Sequence, residues 1–179
     1  MKYLLFSLFI LASGPSFSAE CFVVSGAGQD DNGAFKNRKI LKPETPVVNG
    51  KKCTVVKGLA SLKKAVEAAR VKGTLKWGAD LLVVFGAHGS KDNGVIKYDF
   101  DEDEPKADDV YAYLRTLAKN YQVGAVLHAC QSGEIMHKLV KEDNDPLAGK
   151  LCLLTSSSRG RLSFSNPSDL LNLLEKVGK

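Results

Sequence analysis

The chain has 179 residues, of which 44% are hydrophobic and 25% are charged, and its formal net charge is +5 at pH 7. This length and composition suit one globular domain. The small basic excess is mixed along the chain, so it favours solubility and gives no reason to expect a nucleic-acid partner.

The start of the chain is typical of a secretory signal peptide. Lys2 supplies a short positive start, residues 3–12 are apolar, and a Ser-Gly-Pro sequence at 13–15 breaks the apolar run. This run is too short to span a membrane. Small side chains at Ser16 and Ser18 predict cleavage after Ser18.

We therefore expect residues 1–18 to be a signal peptide and residues 19–179 to form one domain. An N-terminal anchor that is never cleaved is the alternative. Cleavage predicts a secreted or periplasmic protein with no membrane association after the signal is removed.

The first half of the domain alternates strands with a helix. Strands are predicted from Cys21 to Ser25 and from Lys52 to Val56, joined by a polar loop. Ser61 is a candidate cap for a helix that Gly73 ends. The apolar stripe of this helix comprises Leu62, Ala65, Val66 and Ala69.

The second half continues the alternation. A buried strand beginning at Leu81 leads to His88, and alternating residues over 94–100 predict a small hairpin outside the sheet. Pro105 suits the first turn of a helix, and a second buried strand then leads to Cys130. The elements predicted after it are a short helix with Ile135 and Leu139, a strand from Lys150 to Thr155, and a helix beginning at Asn166-Pro167.

This alternation predicts an α/β fold. Strands that alternate with helices form crossover units, which build a mostly parallel sheet within a three-layer α/β/α sandwich. Ligands of such sheets bind beyond the carboxyl ends of the strands. His88 and Cys130 both follow the end of an apolar run, so both are expected at that edge.

The two runs share a motif. Residues 88–90 read His-Gly-Ser, and residues 129–133 read Ala-Cys-Gln-Ser-Gly. This pattern resembles the signature of the caspase-type cysteine peptidases and is closest to the legumain branch, which reads His-Gly-Ser and then Ala-Cys-Glu-Ser-Gly. The resemblance covers residues 80–158 and implies a caspase-like fold and a cysteine endopeptidase.

The resemblance implies a role for each residue of the motif. Cys130 would be the nucleophile, since a thiolate attacks carbonyl carbon, and His88 would be the general acid and base. The backbone N–H groups of Gly89 and Cys130 would form the oxyanion hole. A helix starting at Ser132 would direct its positive end toward Cys130.

Four further residues are candidates for substrate binding. His128 faces the same side of its strand as Cys130, at the position that lines the pocket for the residue before the cut bond in the resembling family. A histidine there favours Asn or Asp over a cationic residue; a core histidine is the alternative. Ser156 and Ser157 match the segment that pairs with the substrate backbone, and Arg38 matches part of an Asn-x-Arg element.

Four cysteines in an exported chain allow three disulfide pairings. Cys21 and Cys53 both begin strands, so neighbouring parallel strands would place them side by side. Cys152 begins its strand whereas Cys130 ends its own, which separates them too far for a bridge. We therefore predict a Cys21–Cys53 disulfide and a free Cys130.

No cofactor or metal site is expected, because the three histidines lack ligand spacing. The acidic run at residues 99–104 is expected to be a solvated loop, with weak calcium binding as the alternative. The expected partner is a protein or peptide substrate. Two alternatives to hydrolysis remain open: a transpeptidase that uses the same two residues, and a catalytically silent peptide-binding module on the same fold.

Overall fold

A computed structural model describes residues 20–29, 35–36, 38–39, 47–48, 51–141, 147 and 149–157. The predicted signal peptide and the helix predicted from Asn166-Pro167 lie outside these residues. No helix in the described part of the chain is long and apolar enough to span a membrane.

The described elements follow one another along the chain in this order: β1 (Glu20–Val24), β2 (Ala27–Gln29), β3 (Phe35–Lys36), β4 (Arg38–Lys39), β5 (Val47–Val48), β6 (Lys51–Lys52), β7 (Thr54–Val56), α1 (Leu59–Val71), β8 (Asp80–Gly86), β9 (His88–Asp92), β10 (Val95–Asp99), α2 (Ala107–Ala118), β11 (Gln122–His128), α3 (Gly133–Lys141) and β12 (Leu151–Thr155).

The main sheet has five parallel strands in the order β12-β11-β8-β1-β7. Its central strand β8 is buried on both faces, with Val83 and Val84 fully covered. Side chains of successive strand residues point to opposite faces, which is why these strands read as continuous apolar runs. The predicted α/β fold with a mostly parallel sheet is confirmed.

Helices α1, α2 and α3 pack on one face of this sheet. Their buried side chains, including Leu62, Leu114 and Ile135, share a core with Phe85 and Leu127 of the sheet. The crossovers from β7 to β8, from β8 to β11 and from β11 to β12 all step in the same direction across the sheet. Since such crossovers are right-handed, their helices lie on the same side.

The opposite face carries a smaller apolar cluster that includes Val23, Val84 and Val126. Cys21 and Cys53 belong to this cluster and form a disulfide, with 4.6 Å between their Cα atoms. The register of β1 and β7 pairs Phe22 with Thr54, so the two cysteines precede paired residues of neighbouring strands. The disulfide predicted from their positions is therefore present.

Strands β9 and β10 form the hairpin predicted outside the main sheet. Asn93 and Gly94 connect them with φ angles of 48° and 82°. Two consecutive positive φ angles are typical of the tight turn whose twist matches that of the flanking strands. The hairpin begins at His88, so it projects directly from the carboxyl edge of the sheet.

The prediction that Ser61 caps the first helix is wrong. Helix α1 begins at Leu59, and the carboxylate of Asp103 accepts hydrogen bonds from the backbone N–H groups of Leu59 (3.0 Å) and Ala60 (2.9 Å). The Ser61 hydroxyl instead donates to the Glu102 carboxylate. The cap comes from a distant loop, and a local pattern cannot reveal such a partner.

The acidic run at residues 99–104 makes more hydrogen bonds to the rest of the protein than a solvated loop would. Besides the contacts of Glu102 and Asp103, the Asp101 carboxylate accepts a hydrogen bond from the Ser25 hydroxyl at 2.7 Å. The run thus joins the ends of β1 and β7 to the hairpin. Helix α2 begins at Ala107, so Pro105 precedes its first turn, and the Pro105 carbonyl accepts a hydrogen bond from the Tyr98 N–H.

Candidate active site

The structure brings the two motif strands together at the carboxyl edge of the sheet. Strands β8 and β11 are direct neighbours, and their last paired residues are Gly86 and His128. Beyond this pair, the Ala87 N–H donates a hydrogen bond of 3.1 Å to the His128 carbonyl. His88 and Cys130 each lie two residues beyond this pair, so both are at the carboxyl edge, as the sequence predicts.

The backbones of Gly89 and Cys130 are packed against each other. A Cβ atom placed on Gly89 would lie 1.9 Å from the carbonyl oxygen of Cys130 and 2.7 Å from its carbonyl carbon. Neither atom could move without moving the Cys130 main chain. Only glycine fits at position 89, and it allows the residue after His88 to touch the residue proposed as the nucleophile.

The loop after Cys130 adopts an uncommon conformation. Gln131 has a φ angle of 61°, in the left-handed region that non-glycine residues rarely occupy, and α3 begins two residues later at Gly133. Such conformations persist where the surroundings enforce them, and they are concentrated at functional sites. The turn directs the chain sharply away from Cys130, which itself is half-buried.

Ser132 and Ser157 hold this loop in place. The Ser132 N–H donates to the Ser157 hydroxyl oxygen (3.0 Å), the Ser157 N–H donates to the Ser132 hydroxyl oxygen (3.2 Å), and the two hydroxyl groups lie 3.0 Å apart. The Ser157 hydroxyl also lies 3.2 Å from the Ala129 carbonyl oxygen, to which it can donate. Both serines are buried.

This network distinguishes Ser156 from Ser157, the two serines predicted to pair with substrate. The Ser157 side chain is directed to the loop that carries Cys130, so it holds that loop in place. Ser156 is exposed, and its N–H donates to the Leu127 carbonyl at 3.0 Å. Of the two, Ser156 is therefore the one accessible to a peptide.

His88 is half-buried at the base of the hairpin. Burial lowers the pKa of His88 by disfavouring the charged imidazolium, and the negative charge of Asp99 partly offsets this effect. Asp99 is the cross-strand partner of His88 in the β9–β10 ladder. A small pocket of about 200 Å³ is lined by both residues together with Ser90, Lys97 and Glu104.

Tyr98 links the hairpin to the loop after Cys130. It is fully buried opposite Gly89, and its hydroxyl donates a hydrogen bond of 3.5 Å to the Gln131 carbonyl. Burial raises the pKa of Tyr98, and the charge of Glu134 raises it further, so the hydroxyl remains protonated and can donate. Tyr98 therefore connects the hairpin that begins at His88 with the turn that follows Cys130.

Gly26 occupies the junction between the first strand and this hairpin. A Cβ atom on Gly26 would lie 2.6 Å from the carbonyl oxygens of both Gly86 and Asp99, and 3.0 Å from the Cα atom of Ala87. The main chain at Gly26 thus fills the space between the end of β8 and the end of β10. A side chain there would collide with the main chain of Gly86 and Asp99.

The remaining predicted residues lie nearby. His128 is 6% exposed and, two residues after Val126, faces the side of the sheet opposite the described helices. It therefore offers little surface to a substrate in this conformation. The backbone of Arg38 pairs with Gly28 in β2, and β2 lies against β9.

Cys130 and Cys152 do not take part in the disulfide. Cys152 is exposed on the edge strand β12, remote from the carboxyl edge, because its partner in β11 is Gly124 near the start of that strand. Within the described residues, no group of three His, Cys, Asp or Glu side chains could hold a metal ion.

Sequence reasoning missed four residues that shape this site: Gly26, Tyr98, Asp99 and Ser132. The alternating pattern of residues 94–100 was the available signal for two of them, because pairing β10 with β9 places Tyr98 and Asp99 opposite Gly89 and His88. Gly26 and Ser132 act through contacts with distant strands.

Comparison of the chain with protein-family models, with curated proteins and with solved structures found no match.

Proposed function

We propose that this protein is an exported cysteine endopeptidase of the caspase and legumain type. The observation that carries the proposal is the contact between the Gly89 and Cys130 backbones at the carboxyl ends of adjacent parallel strands. It places His-Gly and Ala-Cys side by side, at the edge where such sheets bind ligands.

In this proposal, the Cys130 thiolate attacks the carbonyl carbon of the scissile peptide bond. The backbone N–H groups of Gly89 and Cys130 stabilise the oxyanion, and protonated His88 gives its proton to the leaving amine as the carbon–nitrogen bond breaks. A water molecule, deprotonated by His88, then attacks the thioester. The acid is released, and the Cys130 thiolate and protonated His88 are restored.

Two further observations support parts of the proposal. The positive φ angle at Gln131 fits a turn that is held for function. The Cys21–Cys53 disulfide fits a protein exported to an oxidising compartment, which agrees with the predicted signal peptide.

Competition between Cys130 and Cys152 for an alkylating reagent tests the proposed nucleophile. Cys152 is exposed whereas Cys130 is half-buried, so accessibility alone favours alkylation of Cys152. If His88 activates Cys130, iodoacetamide at pH 6 will modify Cys130 faster, as measured by peptide mass spectrometry. The variant His88→Gln should reverse that order, whereas preferential labelling of Cys152 in both proteins would contradict the proposal.

Cleavage of a peptide library tests the reaction itself, with matched peptides carrying Asn, Asp or Arg before the bond. We expect Cys130→Ala to lower turnover by at least about a thousandfold while Cys152→Ala leaves it unchanged. Thermal unfolding of Cys130→Ala should stay within a few degrees of the wild type, which excludes misfolding as the cause. Equal turnover of Cys130→Ala and the wild type would contradict the peptidase assignment. Formation of amide products with an added amine would indicate transpeptidation.

A further inference from the structure

Asp99 and His88 are placed opposite each other by the hairpin register. They are Cα partners in the antiparallel β9–β10 ladder. Directly opposite residues in such a ladder project to the same face, with Cβ atoms about 4.5–5.5 Å apart. A carboxylate and an imidazole at this separation are within reach of each other.

Both side chains line the same small pocket, which confirms that they share a face of the hairpin. The end of β10 also packs closely against the chain after β1, because a Cβ atom on Gly26 would lie only 2.6 Å from the carbonyl oxygens of Gly86 and Asp99. Asp99 is therefore held by its pairing with His88 in the hairpin and by this close approach of Gly26.

The charges around the pair favour mutual stabilisation. Burial and the neighbouring carboxylates of Glu104 and Asp101 raise the pKa of Asp99, and the charge of His88 lowers it. The remaining charged group that lines the pocket is Lys97. Half-buried charges interact more strongly than exposed ones, so the imidazolium and the Asp99 carboxylate each reduce the cost of burying the other.

We propose that Asp99 is a positioning residue for His88: it orients the imidazole across the hairpin and stabilises the protonated form that gives its proton to the leaving amine. This inference rests on the proposed peptidase function. Asp99 acts through His88 and does not contact the reacting atoms.

The test compares three variants with the wild type. Asp99→Asn removes the charge with little change of shape, and Asp99→Glu retains the charge. Asp92→Asn makes the same charge change on the same hairpin, at an exposed position four residues from His88, which is about 13 Å along the strand. Circular dichroism verifies that each variant is folded.

The first measurement is the titration of the His88 imidazole by NMR, with the signal assigned from its loss in His88→Gln. We expect Asp99→Asn to lower the pKa of His88 by at least about half a pH unit, and Asp92→Asn to shift it by less than about a fifth of a unit. Asp99→Glu should retain most of the wild-type value. If the Asp99→Asn shift equals the Asp92→Asn shift, the proposal is overturned.

The second measurement is the pH profile of peptide cleavage. In Asp99→Asn, the fall in rate at high pH should begin at lower pH, and kcat at pH 7 should decrease about tenfold with KM nearly unchanged. A wild-type protein that cleaves no peptide would contradict the proposed function, whereas the NMR titration would still decide whether Asp99 acts on His88. Active wild type with an unchanged profile in Asp99→Asn would refute the positioning role alone.

Discussion

Ser132 and Ser157 form reciprocal hydrogen bonds, with the N–H of each donating to the hydroxyl oxygen of the other. They are 25 residues apart in the sequence and come from the loop after β11 and the segment after β12. Because both are buried, each supplies a partner that water cannot replace. The loop carrying Cys130 is thereby fastened to the neighbouring strand.

A double-mutant cycle on these serines should show strong coupling. Removing one hydroxyl leaves buried polar groups of the other serine without a partner, so Ser132→Ala and Ser157→Ala should each lower the free energy of unfolding by about 1–3 kcal/mol. The double variant should cost less than the sum of the two, with a coupling of about 1 kcal/mol measured by urea denaturation. Simple additivity would show that the two residues do not act as a pair.

The Cys21–Cys53 disulfide should contribute substantially to stability, since its cysteines are separated by 32 residues. Closing a loop of that length stabilises the folded state by about 3–4 kcal/mol through the unfolded chain. The double variant Cys21→Ala/Cys53→Ala should lose at least that much in urea denaturation. The exposed Cys152→Ala is the matched control and should change stability by less than about 0.5 kcal/mol.

Peptide mapping under non-reducing conditions tests the same pairing directly. A peptide pair linked through Cys21 and Cys53 is expected, and the peptides that contain Cys130 and Cys152 should not be disulfide-linked. Free thiols at both Cys21 and Cys53 would contradict it.

Asp103 should matter for stability although it lies far from α1 in the sequence. Its carboxylate accepts hydrogen bonds from two N–H groups in the first turn of that helix, at Leu59 and Ala60. Asp103→Ala removes both acceptors and the favourable charge at the helix start. The free energy of unfolding should therefore fall by about 1 kcal/mol. Asp92→Ala on the exposed hairpin controls for the loss of a carboxylate. Equal effects of the two substitutions would argue against capping.

His88 should make stability depend on pH. Burial lowers its pKa in the folded protein, so the unfolded chain binds a proton more readily when the pH falls below about 6.5. The free energy of unfolding of the wild type should therefore decrease on acidification. The free energy of unfolding of His88→Gln should decrease less over the same pH range. Urea denaturation from pH 8 to pH 5 compares the two proteins; parallel curves would show that His88 titrates alike in both states.

The parts of the fold that follow from local pattern were predictable. The apolar runs before His88 and Cys130 identify buried strands, and the rule that ligands bind at carboxyl ends places both residues at one edge. The disulfide follows from two cysteines at strand starts, and the hairpin from alternation. In each case the pattern that allows the prediction lies within one continuous segment or at the same end of two strands.

The supporting contacts were not predictable in the same way. Asp103 caps a helix that begins more than forty positions earlier in the chain, and Ser157 supports a loop contributed by another strand. These contacts depend on how loops cross the edge of the assembled sheet. The sequence pattern at Ser61 favoured a local cap because serine is common at such positions, but tertiary packing supplied a better acceptor.

The fastening of the Cys130 loop by Ser157 has a consequence for biosynthesis. Ribosomes make the chain from its N-terminus, so His88 and Cys130 are both synthesised before Ser157 exists. A chain interrupted before β12 would carry the two residues of the proposed dyad, but its Ser132 would lack the partner that holds the turn. For the proposed peptidase, we therefore expect activity only after β12, the last described strand, has joined the sheet.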